Sequence, residues 1–276
     1  MPELPEVETV RRSLAPALEG AMINGVSVDH PRMLRRQPRP RDFGDRLLGR
    51  RIGSLGRHGK FLMIDVDGDL TWVVHLGMSG RVGLESTGAD RVPHTHVVVE
   101  TDGGREMHFI DPRTFGFMAV YTPEEFEAQP FARLGPDALN QLPRYTRLVP
   151  RLEGRTIAIK SLLLDQHFIA GLGNIYADEV LHRSHLRPAR AAGTLDLEEI
   201  RSLRNAITPV LRAGLRWGGT SLTDLAYLLP DGRAGEYLQR LRVYGRAGEP
   251  CRRDGTPIER SVIGGRSSFW CPTCQR

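Results

Sequence analysis

All three cysteines of this 276-residue chain lie in its last 26 residues, as Cys251-Arg-Arg-Asp254, sixteen intervening residues, and Cys271-Pro-Thr-Cys274. An odd number of thiols does not make a disulfide framework, and their clustering favours a metal. The spacing is that of a four-ligand zinc ribbon with Asp254 in one cysteine's place, and carboxylate oxygen is itself a zinc ligand at about 2.0–2.2 Å. Three readings of the tail follow: zinc held by Cys251, Asp254, Cys271 and Cys274; zinc whose shell is completed by water or another group; and no stable metal. With a turn at Gly264-Gly265, the segment from about Val243 reads as a β-hairpin. So short a hairpin has little core of its own, which makes any metal there structural.

The same region carries the charge. Between Arg233 and Arg276 nine arginines face Glu236, Glu249, Asp254 and Glu259, which accounts for the whole net charge of +5. A localised positive surface suits a polyanion; on charge alone, a solubilising arginine-rich face is an equal reading. Only Lys60 and Lys160 are lysines, so a lysine at a site is a particular choice. At 40% hydrophobic and 26% charged residues the chain is globular rather than disordered, and its length suggests about two domains. The opening Met-Pro-Glu-Leu-Pro-Glu-Val-Glu is acidic where a targeting segment would be basic and then apolar. No apolar run approaches the roughly 20 residues of a membrane span. The expectation is a cytoplasmic protein.

Leu4, Val7, Val10, Leu14 and Leu18 recur at helical spacing, with Pro5 early enough for a first turn. Short β-like runs follow, among them 25–29, 60–66, 70–76, 95–101 and 105–110, separated by Gly, Asp and Pro turns. Such strands read as an antiparallel sandwich or barrel. From Pro123 to Pro150 repeated prolines mark a linker with helical pieces. Beyond it, 157–164, 175–181, 197–207 and 210–215 look helical, with Asn174 placed as an N-cap after Gly171-Leu172-Gly173. The expected division is 1–130, a β-sandwich domain; 131–150, the linker; 151–241, a helical domain; and 242–276, the hairpin.

Pro2 follows Met1 and is small enough for the initiator methionine to be removed, which exposes a secondary amine. An α-amino group titrates near 7.7–8.0, and the positive end of a helix disfavours its protonated form further. The neutral amine is a nucleophile, and adjoining Glu3 is placed to move protons. On its own, the segment is more simply an ordinary helix start.

Its company changes that reading. Met1 to Thr9, His75-Leu-Gly-Met78-Ser-Gly80, Asp111-Pro-Arg113-Thr-Phe115-Gly116, Gly171 to Glu179, and Val243-Tyr244-Gly245-Arg246 before the cysteine tail together resemble the formamidopyrimidine-DNA glycosylase family of bacteria, from end to end of the chain. Leu4 is similar to this branch rather than to its endonuclease VIII relatives. The resemblance implies an α+β multidomain fold: an N-terminal β-sandwich with a leading helix, then a helical helix-two-turn-helix domain over about Thr156 to Ser184, ending in a zinc-ribbon-like β-hairpin. It implies a bifunctional glycosylase and abasic-site lyase of base-excision repair, acting on 8-oxoguanine and formamidopyrimidines in duplex DNA as a monomer with one structural zinc ion.

By the same resemblance Pro2 is the nucleophile, Glu3 the acid, Lys60 the aid to β-elimination and Arg266 the aid to δ-elimination. Met78, Arg113 and Phe115 form a wedge that fills the gap left by a flipped nucleotide. His94, Arg155, Asn174 and Tyr244 contact phosphates. Thr220, Ser221 and the loop to about Tyr237 fold over the extruded base. Ala234 and Leu238 depart from the family's usual proline and aromatic, which leaves lesion preference open but not the reaction. Two other readings stand beside this one: an endonuclease VIII-like enzyme for oxidised pyrimidines, and a lesion-binding protein without catalysis.

Overall fold

The computed structural model describes residues 1–222 and 227–276. Among these the chain forms two compact units, one of residues 1–133 with 217–238, the other of 134–216 with 239–276.

The first unit opens with helix α1 (Leu4–Leu18), whose Leu4, Val7, Val10, Leu14 and Leu18 are all buried on one face. It continues through β1 (Ile23–Val28), the single turn α2 (Asp42–Asp45), β2 (Ile52–His58), β3 (Phe61–Val66), β4 (Leu70–His75), β5 (Arg81–Ser86), β6 (Thr95–Thr101), β7 (Arg105–Ile110), β8 (Phe117–Tyr121) and α3 (Pro123–Glu127). Two antiparallel four-stranded sheets result, ordered β1-β6-β7-β5 and β2-β3-β4-β8. Alternation sets what they bury: in β3, Leu62, Ile64 and Val66 point inward while Asp65 is exposed. These residues share a core with Trp72 and Val74 of β4, Val97 and Val99 of β6, Phe109 of β7 and the apolar stripe of α1. Burying each large side chain contributes about 1.5–3 kcal/mol.

Strand β8 lies at a sheet edge, where its backbone would offer a template to other chains. Gln37 blocks it: its Nε2 donates to Val120 O at 3.0 Å, and its Oε1 accepts from Val120 N at 2.6 Å. Strands β2, β5 and β8 go beyond the runs marked from sequence. Lys60 lies not within a strand but in the turn between β2 and β3.

The second unit holds α4 (Tyr145–Leu152), α5 (Ile159–Leu164), α6 (Asn174–Arg183), α7 (Leu197–Arg216) and the antiparallel hairpin β9 (Glu259–Ile263) and β10 (Arg266–Trp270). Two expectations change here. Gly173, not Asn174, is the N-cap of α6, and Asn174 is its first helical residue. The helical stretches 197–207 and 210–215 are one continuous helix, α7, with Pro209 inside it. Proline there removes one hydrogen-bond donor but does not interrupt a helix whose Ile200, Leu203, Ile207, Val210 and Leu211 are all buried. Among the described residues no helix is long and apolar enough to cross a membrane.

Glu8 ties α1 to β2. Its carboxylate accepts from Arg11 at 2.9 and 3.0 Å, Arg12 at 2.8 Å and Arg57 at 3.1 Å. Burial pushes this carboxyl up, but the bonds and charge of the arginines outweigh it and hold it at about 2, against an ordinary 4.5. A depressed carboxyl adds stability that is complete above 4.5 and lost as pH falls toward 2. Glu8→Gln is therefore expected to unfold at lower denaturant at neutral pH, and its midpoint to fall less than the wild type's between pH 4.5 and 2. Parallel midpoint-against-pH curves for the two proteins would contradict this assignment.

Candidate active site and metal centre

The start of α1 is held by a carboxylate that sequence reasoning passed over. Glu6 is buried; its Oε2 accepts from Glu3 N at 2.8 Å and its Oε1 from Thr220 N at 2.7 Å. One side chain thus fixes both the backbone of Glu3, itself 2% exposed, and the loop that follows α7. The approach is close: a Cβ on Gly219, whose φ is +83°, would stand 2.8 Å from Glu6 Oε1. The loop is cross-braced by Ser221 Oγ, which donates to Tyr227 O at 2.7 Å and accepts from Gly235 N at 2.8 Å, and by Tyr237 N, which donates to Gly219 O at 3.0 Å. Thr220, Ser221 and Tyr237 are therefore brought together on the loop that Glu6 holds, with Pro2 buried and Met1 exposed. Residues 223–226 of this loop lie outside the described residues.

A second cluster gathers Met78, Arg113 and Phe115, all exposed. Its hinge is Gly77 (φ +64°), where a Cβ would fall 2.4 Å from the backbone of Phe115 and Gly116, so only glycine lets the two loops touch. The buried carboxylate of Asp111 completes the join. Oδ1 accepts from Ser79 Oγ at 2.7 Å and Arg113 N at 3.3 Å, and Oδ2 from Gly116 N at 2.7 Å. The Arg113 guanidinium lies over the Phe115 ring at 4.7 Å. Exposed His94, at φ +69°, joins the group through its carbonyl, which accepts from Asp111 N at 3.0 Å.

Lys60, 7% exposed, immediately precedes β3, whose first residue Phe61 pairs with His75. Burial, with the nearby charges of Lys60 and Arg35, pushes His75 down to about 4. The ring is thus neutral at physiological pH, and its Nδ1 accepts from Gly77 N at 3.2 Å at the start of the Met78 turn.

In the second unit α6 carries the corresponding anchors. The Glu179 carboxylate accepts from the backbone N–H groups of Arg242, Val243 and Tyr244 at 2.9–3.0 Å. Burial lifts this carboxyl above the usual range, and these donors act against the lift. Lys160, fully buried, pairs with Asp178 at 2.7 Å and donates to Ser267 O at 2.7 Å. Asp178 Oδ2 accepts from Phe269 N at 2.9 Å, and Asn174 Nδ2 donates to Ser267 O at 3.0 Å. Burial pushes the Asp178 carboxyl up to about 7 against the pull of Lys160. Through these bonds α5 and α6 hold β10, at whose start Arg266 stands exposed. The Tyr244 ring packs edge-on against Phe269 at 5.2 Å. Among the described residues the buried Asn174 Oδ1 atom has no hydrogen-bond partner. Arg155 is exposed, its Nε donating to Arg151 O at 2.7 Å.

The hairpin brings its four expected ligands together. One donor atom from each of Cys251, Asp254, Cys271 and Cys274 lies within 4.8 Å of the others. Cys251 Sγ is 4.0 Å from Cys274 Sγ, and Cys271 Sγ is 3.4 and 3.5 Å from the Asp254 oxygens. Sulfur and oxygen donors sharing a tetrahedral zinc are about 3.5–3.8 Å apart, so this set fits the ion. Asp254, the exposed member, is oriented by Thr256 N, which donates to its Oδ1 at 3.0 Å.

A helix-led β-sandwich, a set of helices and a cysteine-bearing hairpin follow one another along the chain, and known families match each of the three in turn. The formamidopyrimidine-DNA glycosylase N-terminal domain matches residues 1–118, that enzyme's H2TH domain matches 134–225, and the zinc finger found in FPG and IleRS matches 248–276. Relatives named formamidopyrimidine-DNA glycosylase include those of Heliobacterium modesticaldum, 46% identical, and Geobacillus kaustophilus, 41% identical, each covered over its full length with the whole of this chain. Among solved structures, the MutM (Fpg) protein of Thermus thermophilus is 40% identical with a TM-score of 0.86, covering 99% of this chain and 98% of its own. The Lactococcus lactis Fpg in complex with abasic-site DNA is 30% identical with a TM-score of 0.89, covering 99% of both chains. The chain belongs to the formamidopyrimidine-DNA glycosylase family.

Removing one partner of a buried ion pair typically costs about 3–5 kcal/mol. Lys160→Met is expected to destabilise the protein by that order in denaturant unfolding. A loss below about 1 kcal/mol, the range of an exposed pair, would show that the pair does not anchor β10.

Proposed function

We propose that the chain is a DNA glycosylase and abasic-site lyase of base-excision repair that excises oxidised purines from duplex DNA, working as a monomer in the cytoplasm. The observation that carries this reading is the joining of Glu3 and Thr220 by one buried carboxylate, Glu6, which sets the helix start beside the loop assigned to the flipped base.

In this reading removal of Met1 frees the Pro2 nitrogen, whose lone pair attacks C1′ of the extruded nucleotide. The base leaves with the electrons of the glycosidic bond and takes up a proton, while Glu3 protonates the opening sugar. The resulting imine, an iminium because the amine is secondary, draws electrons from C2′ and acidifies its hydrogen. Lys60 assists loss of that proton and departure of the 3′ phosphate; Arg266 assists the second elimination, which releases the 5′ phosphate. Extrusion costs a few kcal/mol of stacking. Met78 and Phe115 offset it by filling the gap, and Arg113 offers donors to the unpaired partner base. His94, Arg155, Asn174 and Tyr244 fix the backbone without reading sequence. Cys251, Asp254, Cys271 and Cys274 hold the zinc, which supplies the hairpin with the rigidity its small core lacks.

Borohydride should trap the wild-type chain covalently on 8-oxoguanine duplex, with the adduct at Pro2, and should not trap Pro2→Gly. Glu3→Gln should lower excision about 10²–10⁴-fold. An adduct on another side chain, or full activity with Met1 retained, would overturn the mechanism. Cleavage of 5-hydroxyuracil duplex with 8-oxoguanine paired to cytosine left intact would move the substrate to oxidised pyrimidines.

For the metal, purified protein should contain about one zinc per chain, and Asp254→Cys should slow zinc loss to a chelator by adding a fourth thiolate. Unchanged loss would remove Asp254 from the ligand set.

A further inference from the structure

We infer that His182, on α6, is a positioning residue of the metal centre: its Nε2–H donates to the Cys251 thiolate, so that the helix takes part in holding the zinc. The inference rests on the reading of Cys251, Asp254, Cys271 and Cys274 as ligands.

His182 Nε2 lies 3.5 Å from Cys251 Sγ, within reach of an N–H···S bond, and at 3% exposure the residue is shielded from competing water. It stands outside the ligand set, which closes on itself without the imidazole. A thiolate bound to a cation has no proton to give, so the ring nitrogen must be the donor, which fixes the tautomer with hydrogen on Nε2. Arg253 supplies a matching contact: its Nη1 is 3.5 Å from Cys274 Sγ and 3.2 Å from the carbonyl oxygen of His182.

The charge explains the need. Three thiolates and a carboxylate carry more negative charge than one divalent ion cancels, and Cys251 and Cys271 are both buried. Donors pointed at the sulfurs spread that excess and orient the ligands; losing such a partner typically weakens metal binding 10–100-fold. His182 sits between Leu181 and Arg183 in a helix otherwise buried along nearly its whole length. A polar ring there needs a partner, and the Cys251 sulfur is within reach.

The test uses the full-length protein, with chelator-driven zinc release and the absorption spectrum of the Co(II)-substituted form. His182→Phe keeps a ring but has no donor. It should lose zinc at least about tenfold faster. Its sulfur-to-cobalt charge-transfer band should move to longer wavelength, because the thiolate lone pair loses a stabilising bond; altered packing alone would not move that band. His182→Gln, which restores an N–H, should recover much of both properties. Wild-type release and band position in His182→Phe, or no advantage of Gln over Phe, overturns the inference and leaves the ligand assignment intact. Absence of zinc from the wild type overturns the ligand assignment and this inference with it. Should His182→Phe not fold, His182→Leu against His182→Gln makes the same comparison.

Discussion

The functional geometry of this protein depends on buried carboxylates that capture backbone N–H groups of the segments that carry the site. Glu6 takes one from Glu3 and one from Thr220; Asp111 takes those of Arg113 and Gly116; Asp178 takes that of Phe269; Glu179 takes three in succession from 242 to 244. Bonds to a carboxyl group are worth about 1.5–3 kcal/mol each when it is ionised, roughly twice a neutral one, and an N–H has a fixed direction. A loop held this way is fixed through its backbone. Glu3, Arg113 and Tyr244 are anchored by their main-chain N–H groups, so their placement does not rest on their side chains alone.

This division of labour suits an enzyme that must place groups on irregular loops. Loops have no ladder to fix them, and a ligand set by its own side-chain contacts would have to break those contacts to act. The two sheets and the α1 stripe supply the rigid body, the acids supply the attachment, and glycines such as Gly77 and Gly219 give the clearance that brings the loops within bonding distance. Neutral His75 extends the scheme with a ring nitrogen accepting where the acids use oxygen.

Sequence reasoning read the regular parts well because they obey a period. The α1 stripe and β3 show the spacing of 3.6 or 2 that burial on one face demands, and β4, β6 and β7 keep a period of two in their core residues Trp72 and Val74, Val97 and Val99, and Met107 and Phe109. It was weaker where burial is two-sided or slight: β8 is apolar throughout and β5 is interrupted by Gly83, so neither alternates clearly. Pro209 suggested a break that packing overrode, and the N-cap of α6 fell one residue early, within the usual uncertainty of helix ends. At the site, residues set in recognisable short motifs were legible, as was the metal tail, whose ligands come in two close pairs. The clamping acids were not. Glu6, Asp111 and Glu179 were visible within the motifs, but an acid in a helix or a turn reads as a solvated charge unless its distant N–H partners are known.

His182 extends that lesson from loops to the metal. A ligand set can be inferred from spacing because both pairs are local, whereas the group that stabilises it comes from a helix far away in sequence. The hairpin's own apolar core is small, with Val243, Cys251, Ile258 and Cys271 as its buried members. So few buried residues fall short of the entropy of ordering the segment, and the balance has to come from outside it. The zinc supplies part; the bonds from Lys160, Asn174, Asp178 and His182 supply the rest, all four from α5 and α6. The hairpin that presents Arg266 is in this sense an outgrowth of those helices, and its order should rise and fall with theirs.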